Sequence, residues 1–218
     1  TRGVLTFGGS LTGHVEVDGF SYTGGASEVR LFALKHVSSR VSFLEENSFV
    51  QGLSVVSRGG VSVSNLTTGG ALSVDSDSDC DGSGSLSVVA GSVMSSGGFP
   101  LRVKAADVAL EGRVSSGSSS TTFVLCDGSA VWLGGAAGSS ALSVFSLDRF
   151  ELGRVLSGGL VVESPSGRIT VRSVSAAETS SVSGPLLLNA SSVLFAEATS
   201  FSPAVFVHAG TGIVVNGS

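Results

Sequence analysis

Pairs of apolar residues separated by one residue recur along the whole chain, and most of these pairs come in twos. Leu101 and Val103 are followed by Val108 and Leu110, with small or polar residues between the two pairs. A period of two places alternate side chains on the same face of a strand, and the intervening residues are typical of turns. The pattern predicts two short strands joined by a corner, with one core between them. Further full or partial copies are Leu186/Leu188 with Val193/Phe195, Leu142/Val144 with Phe150/Leu152, Leu53/Val55 with Val61/Val63, Val41/Phe43 with Phe49, and Leu86/Val88 with Val93.

The distance from one copy to the next strand signal is close to 20 residues. It is 22 from Leu101 to Phe123 and 19 from Leu186 to Val205. Repeats of this length with variable insertions are typical of solenoids, in which each coil buries its core against its neighbours. The pattern resembles the right-handed parallel β-helix class, the fold of pectin lyases and of many bacterial and protist surface proteins. This resemblance implies an all-β β-solenoid with irregular coils of about 18–26 residues.

We expect residues 1–218 to form a single β-solenoid domain that is a segment of a longer protein, because the chain opens directly on a strand signal. An uninterrupted helical stripe is lacking, since Gly or Ser breaks almost every window of ten residues. Only Glu28–Val37 fits both the helical and the strand period. The alternative fold is a β-sandwich. An immunoglobulin-type core needs the order Cys, Trp, Cys, whereas this chain has Cys80, Cys126 and then Trp132.

Composition argues against a nucleic-acid partner and a membrane-spanning helix, and it argues for an ordered chain. Serine (43) and glycine (31) together make up about a third of the 218 residues, but the mean hydropathy of +0.44 is too high for a disordered segment. Only 12 Lys and Arg face 17 Asp and Glu, and they are scattered, which argues against a nucleic-acid partner. No apolar run reaches the length of a membrane-spanning helix.

The densest run of charge is the segment from Asp75 to Gly82. Asp77, Asp79, Asp81 and Gly82 match the opening D-x-D-x-D-G of calcium-binding loops, in which alternate carboxylates converge on the ion. The twelfth position is Val88, where an EF-hand needs a bidentate Glu. Two interpretations stay open: a solvated acidic loop, and a weak calcium site formed by Asp77, Asp79 and Asp81.

The two cysteines stand in identical tetrapeptides, Cys80-Asp-Gly-Ser83 and Cys126-Asp-Gly-Ser129, 46 positions apart. Two coils of a solenoid separate equivalent positions by about 10 Å, and a disulfide requires Cα atoms within about 7 Å. We therefore expect Cys80 and Cys126 not to be paired with each other, unless a loop folds back.

Three of the four asparagines begin glycosylation sequons: Asn65-Leu-Thr67, Asn189-Ala-Ser191 and Asn216-Gly-Ser218. Chance alone produces this result about one time in twenty, given how common Ser and Thr are. The sequons favour an extracellular or cell-surface glycoprotein.

No sequence signature of an enzyme is present: the hydrolase elbow, the zinc-binding HExxH, the Walker loop and the Rossmann fingerprint are all missing. The histidines are isolated, and Asp107, Glu111, Asp148 and Glu151 are interpreted as solvent-facing charges among strands. We expect a non-enzymatic structural or adhesive module, such as a fibre or filament component or an adhesin. Its partners would be other protein surfaces or copies of itself, and calcium is the only candidate cofactor. The alternative is a polysaccharide lyase or glycoside hydrolase on the same fold.

Overall fold

The computed structural model describes residues 3–125, 128, 130–136 and 144–216. The chain is nearly all β, with 55% of residues in strands and 2% in helix. The strands are β1 (Val4–Gly9), β2 (Val15–Val17), β3 (Ser21–Tyr22), β4 (Glu28–Ala33), β5 (Val41–Phe49), β6 (Gly52–Ser57), β7 (Val61–Thr68), β8 (Leu72–Asp75), β9 (Ser85–Val88), β10 (Val93–Ser95), β11 (Leu101–Lys104), β12 (Asp107–Leu110), β13 (Arg113–Ser115), β14 (Ser120–Val124), β15 (Val131–Gly134), β16 (Phe145–Leu147), β17 (Val155–Leu156), β18 (Gly159–Arg172), β19 (Leu186–Phe195) and β20 (Val205–Val215). One short helix, α1 (Arg149–Leu152), lies between β16 and β17.

The strands form two sheets, of 11 and 9 strands, and every strand pairing within the described ranges is parallel. The larger sheet runs in the order β1-β4-β6-β8-β11-β14-β18, and β19 and β20 then continue from β18. Parallel pairing contradicts the β-sandwich alternative, because the sheets of a sandwich are antiparallel. The ambiguous stretch from Glu28 is strand β4.

The register of the larger sheet aligns inward side chains into columns. Leu53, Leu72 and Leu101 are direct partners in successive strands, and Leu160 and Leu186 are partners further along. A second column two residues along contains Val55, Val74, Val103, Phe123, Val162 and Leu188. Every residue of both columns named here is at most 1% exposed. Alternation of side chains within each strand therefore builds one continuous apolar core.

Most predicted strand pairs are confirmed, but some differ in detail. Leu101 to Leu110 forms two strands, β11 and β12, with all four apolar residues buried. Leu186 to Phe195 instead forms one long strand, β19, whose pairing with β18 shifts register midway. Phe150 and Leu152 were expected in a strand and lie in α1, because Asp148 and Glu151 form a capping box that begins a helix. Leu142 lies outside the described residues.

The intervals between paired strands are more variable than the expected 18–26 residues. Most fall near that range, such as the 19 positions from Leu53 to its partner Leu72. The interval from Leu72 to Leu101 is 29, and the interval from Thr121 to Leu160 is 39. The 29-residue interval contains the acidic loop, and the 39-residue interval contains β15, β16 and α1. Insertions therefore lengthen the connections while the paired strands stay in register.

Buried hydroxyl groups explain part of the high serine content. Thr68 is the last residue of β7, and Ser96 and Ser116 follow β10 and β13. These three strands are neighbours in the smaller sheet, and all three residues are fully buried. Each hydroxyl donates to a carbonyl oxygen two or three residues ahead: Thr68 to Gly70 (2.7 Å), Ser116 to Ser119 (2.8 Å), and Ser96 to Phe99. A small buried side chain thus donates a hydrogen bond to a carbonyl oxygen of the corner that follows it.

Glycine is required where successive corners touch. A Cβ atom at Gly184 would lie 1.8 Å from the carbonyl oxygen of Gly158, and one at Gly158 would lie 2.0 Å from that of Ser118. These distances leave no room for a side chain, so glycine permits the close approach of the two backbones.

Replacing Leu101 with Ala is expected to lower the free energy of unfolding by about 2–5 kcal/mol, because it opens a cavity in a buried column. The matched control is Leu11→Ala, since Leu11 is 84% exposed and its truncation is expected to change stability by less than about 0.5 kcal/mol. Equilibrium urea unfolding measures both values. Equal losses in the two variants would contradict the column arrangement.

Candidate functional site

The three predicted calcium ligands lie together in the loop between β8 and β9. One carboxylate oxygen each from Asp77, Asp79 and Asp81 lies within 4.8 Å of the other two. Asp77 is fully buried, while Asp79 and Asp81 are exposed. The three carboxylates therefore converge, as the sequence pattern predicts.

Backbone N–H groups organise this loop around Asp77. Its Oδ1 accepts a hydrogen bond from the Asp81 N–H (3.2 Å), and its Oδ2 accepts one from the Gly82 N–H (3.3 Å). Asp81 in turn accepts from the N–H and the hydroxyl of Ser83, at 2.9 and 2.5 Å. Gly82 has a φ of +83°, which suits glycine at the bend.

Burial raises the pKa of Asp77, and the nearby charges of Asp81 and Asp79 add to this effect. The hydrogen bonds from Gly82 and Asp81 act in the opposite direction. A cation shared by the three carboxylates would remove the repulsion between them. The loop therefore has the electrostatic character of a cation site, with two partial counter-charges close by.

Those counter-charges are Arg58 and Lys104. Arg58 Nε lies 3.6 Å from Asp79 Oδ2, and Lys104 Nζ lies 3.0 Å from Asp75 Oδ2. The second oxygen of Asp75 is buried and accepts no hydrogen bond. Val88, at the twelfth position of the calcium-loop pattern, is a fully buried core residue of β9. The loop therefore departs from the EF-hand, as the sequence indicates.

The sequon asparagines lie on outer parts of the fold. Asn65 is exposed in β7, and its Oδ1 accepts a hydrogen bond from the Val93 N–H (2.9 Å). Asn189 is half-buried in β19, and Asn216 is exposed just after β20. The last two residues of the third sequon lie outside the described residues. Asn65 and Asn189 both lie within strands, beside irregularities of pairing.

Cys80 is disulfide-bonded, in contrast to the expectation based on the rise between coils. The other cysteine, Cys126, lies outside the described residues. Cys80 lies in the loop after β8 and has a φ of +56°. The spacing of stacked strands therefore does not fix its distance from other parts of the chain.

A second group of acidic residues was interpreted as solvent-facing, and the structure corrects this for Asp107 and Glu151. Both side chains are partly buried and accept backbone hydrogen bonds from distant residues. Asp107 accepts from the Ser146 N–H (2.9 Å), and Glu151 accepts from the Leu110 N–H (3.0 Å). These contacts join residues 39 and 41 positions apart. The local D-x-x-E motif at Asp148 signals the capping box, but sequence spacing carries no signal for the distant contacts.

Burial raises the pKa of Glu151 to about 7. Hydrogen bonds from Leu110 and Asp148 oppose this rise, while the charges of Asp148 and Asp107 add to it. Burial also raises the pKa of Asp107. Glu151 lines an open cleft of about 480 Å³ together with Ala90, Ala109, Leu110, Glu111, Asp148, Phe150 and Arg154. A carboxyl group with a pKa near neutrality in a cleft is a candidate general acid.

The hydrogen bonds of Glu151 indicate a structural role instead. Its Oε1 accepts from Leu110 and its Oε2 accepts from the Asp148 N–H (3.0 Å). The Asp148 carboxylate accepts from the Phe150 and Glu151 N–H groups, at 2.8 and 2.9 Å. These carboxylates are therefore engaged with the backbone and do not form a free catalytic pair.

Within the described ranges, no helix has the length and apolar character needed to cross a membrane. Comparisons with protein-family models, curated proteins and solved structures give no match to this chain.

Proposed function

We propose that the chain is a right-handed parallel β-helix forming one domain, and that it serves as a structural or adhesive module of a secreted or cell-surface glycoprotein. The supporting observation is the register of the larger sheet, in which β1, β4, β6, β8, β11, β14, β18, β19 and β20 pair in succession. Each of these strands pairs in parallel with the next, although a long stretch of chain separates them in the sequence. This arrangement fits successive coils of a solenoid. Right-handedness rests on the strong general preference of parallel crossover connections.

A structural role follows from the mechanics of such a ladder. Each coil is hydrogen-bonded to the next along its strands, and the aligned apolar columns fill the space between the sheets. Pulling along the coil axis or bending it would have to break several parallel hydrogen bonds together. The chain therefore suits a stiff spacer that holds attached surfaces apart.

The outer face of the last coils offers a surface for protein partners. Val161, Leu187 and Phe206 are direct partners on β18, β19 and β20, and they alternate with the inward residues. Val161 and Leu187 are half-buried, and Phe206 is 56% exposed. We include in the proposal that partners are other protein surfaces or copies of this chain, because an apolar outward strip favours protein contact.

Two observations of different kinds support the proposed extracellular location. The sequons at Asn65 and Asn189 lie on outer parts of the fold, and the side-chain hydrogen bond that the structure describes for Asn65 uses its Oδ1. The disulfide of Cys80 is typical of proteins matured in an oxidising compartment.

Asn65, Asn189 or Asn216 is expected to carry an N-linked glycan in protein secreted from a eukaryotic cell, because exposed sequons are glycosylated there. Mass spectrometry of tryptic and chymotryptic peptides, before and after removal of N-glycans, measures occupancy at each position. The control is Thr67→Ala, which destroys the first sequon and leaves Asn65 in place. Unmodified asparagines at all three positions would contradict the glycoprotein part of the proposal.

We also propose that Asp77, Asp79 and Asp81 bind calcium. An ion about 2.4 Å from each oxygen requires the oxygens to lie no more than about 4.8 Å apart, and the three carboxylates meet this condition. The remaining ligands would come from water or carbonyl oxygens. Three carboxylates and an open loop fit the weak affinity of extracellular calcium modules.

Calcium at about 10 mM is expected to raise the free energy of unfolding by about 1.4–2.7 kcal/mol, given dissociation constants of about 10⁻³–10⁻⁴ M. Asp79→Asn should remove most of this gain, since it deletes an exposed ligand whose described contact is the ion pair with Arg58 and not a backbone hydrogen bond. Asp18→Asn, at an exposed turn, is the matched control and should keep it. Urea unfolding in calcium, magnesium and chelator measures the effect. A gain that survives in Asp79→Asn, or an equal gain in magnesium, would contradict the site.

Polysaccharide cleavage is the second candidate function, favoured by the neutral-range pKa of Glu151 in an open cleft. Retaining and inverting glycosidases both use a carboxylic acid with a raised pKa beside a second carboxylate. Exposed Phe150 and Glu111 supply an apolar platform and a further carboxylate. Against this function, both oxygens of Glu151 are already bonded to backbone N–H groups.

We expect no turnover on a panel of neutral and acidic polysaccharides, measured as new reducing ends and as unsaturated products absorbing in the ultraviolet. The comparison pairs the parent protein with Glu151→Gln, and Glu16→Gln serves as an exposed, distant control. Turnover by the parent and by Glu16→Gln that disappears in Glu151→Gln would replace the structural proposal with the enzymatic one.

A further inference from the structure

In the part of the chain that the structure describes, the two sheets meet at a junction that no strand pairing closes. Among the described residues, the nine-stranded sheet has β12 at one end of its order, and the eleven-stranded sheet has β16 at one end. β16 pairs with β15 but does not pair with β12, although the two strands lie against each other. We call this junction the seam: β12 on one side and residues 145–154 on the other.

Side chains take the place of a strand partner across the seam. The Leu110 N–H donates to Glu151 Oε1 (3.0 Å), and the Leu110 carbonyl oxygen accepts from Arg154 Nη1. In the reverse direction, the Ser146 N–H donates to Asp107 Oδ1 (2.9 Å). Both backbone groups of Leu110 thus bond to a carboxylate and a guanidinium, as they would to the peptide groups of a neighbouring strand.

The charged groups around Glu151 are predominantly acidic. Asp107 faces it from β12, Asp148 precedes it in the capping box of α1, and Glu111 lines the same cleft. Arg154 is the cation in this group, and it is bonded to the Leu110 carbonyl oxygen. A negative charge on Glu151 therefore meets like charges in a partly dehydrated place.

We propose that the seam is a pH-operated latch: it is closed while Glu151 carries a proton, and it loosens when Glu151 loses that proton to solvent. A protonated carboxyl group keeps a carbonyl oxygen, so Oε1 still accepts from the Leu110 N–H when the proton lies on Oε2. Only the capping bond from Asp148 weakens. In the loosened state Glu151 is hydrated, and its charge no longer lies beside Asp107. This inference concerns the seam alone and does not depend on the proposed function.

The direction of the pH effect follows from the raised pKa. The closed seam holds Glu151 with a pKa of about 7, compared with the ordinary value of 4.5 for a hydrated side chain. The closed state is therefore favoured fully below pH 4.5, and its advantage is lost as the pH rises through about 7. With these two values, the equilibrium constant for opening increases about tenfold between pH 6 and pH 8.

Amide hydrogen exchange followed by NMR tests the latch. After correction for the intrinsic exchange rate, the protection of the Leu110 and Ser146 amides is expected to fall about tenfold from pH 6 to pH 8. The Leu160 amide, which donates to the Pro185 carbonyl oxygen inside a continuous sheet, is the internal reference and should not change in parallel. Glu151→Gln, which cannot ionise, should remove the pH dependence at Leu110.

Protection at Leu110 that stays constant from pH 6 to pH 8, or that changes equally in Glu151→Gln, would overturn the proposal. An equal change at Leu160 would also overturn it, because opening would then be global. If Glu151→Gln does not fold, the test is the pH titration of Glu151 in the parent protein, followed by the carbon-13 chemical shift of its carboxyl group. A titration midpoint near 7 supports the latch, and a midpoint near 4.5 overturns it.

Discussion

Register between successive parallel strands is the constraint on which the rest of this structure depends. Side chains alternate with a period of two, so a slip of one residue would move every inward side chain of a strand to its outer face. The columns through Leu53 and Val55 persist from strand to strand because the hydrogen bonds of each pair hold that register. Corners, loops and the short helix vary in length and composition, but they return the chain to the same alignment. The packing of the core is consequently determined by the register of each pair of neighbouring strands.

The same constraint explains how far the sequence could predict the fold. Apolar alternation identified β6, β11 and most other core strands, because inward residues are visible as every second position. Alternation fails where a strand is short or bent. Val93 was assigned to the apolar set, whereas Met94 is the buried residue of β10 and Val93 is 38% exposed. In β19 the predicted corner between Leu188 and Val193 is a shift of register inside one strand. Its residues, from Asn189 to Ser192, are of the same small and polar types as those of true corners.

The candidate sites differ in predictability for a related reason. The acidic loop is local, so the spacing of Asp77, Asp79 and Asp81 was sufficient to predict that their carboxylates converge. The contacts of Asp107 and Glu151 join residues about 40 positions apart across an insertion of irregular length. Their partners depend on how that insertion folds back on β12, which no periodicity encodes. The disulfide of Cys80 is a further case, since a loop position is not tied to the rise between strands.

Polar side chains have two different structural tasks in this chain. At the corners, buried serine and threonine hydroxyls satisfy carbonyl oxygens a few residues ahead, which keeps each turn narrow. At the seam, carboxylates and a guanidinium bond to the backbone groups of Leu110 and to the Ser146 N–H, and so join two sheets. The first task is neutral and insensitive to solution conditions, whereas the second places ionisable groups inside the fold. We therefore expect the local stability to be insensitive to solution conditions along the continuous ladders of paired strands. At the seam, where the ladders are interrupted, we expect it to depend on those conditions.

The unequal intervals between paired strands bear on how such a chain can evolve. Segments of 19, 29 and 39 residues all return to the same columns, so a corner can accept ten or twenty additional residues without altering the neighbouring strands. Insertions and deletions at corners are then close to neutral for folding, while a single-residue insertion inside a strand is not. A lineage under this rule would diverge rapidly in length and loop sequence and still keep its architecture. Alignment by sequence would lose such relatives long before their backbones ceased to superimpose.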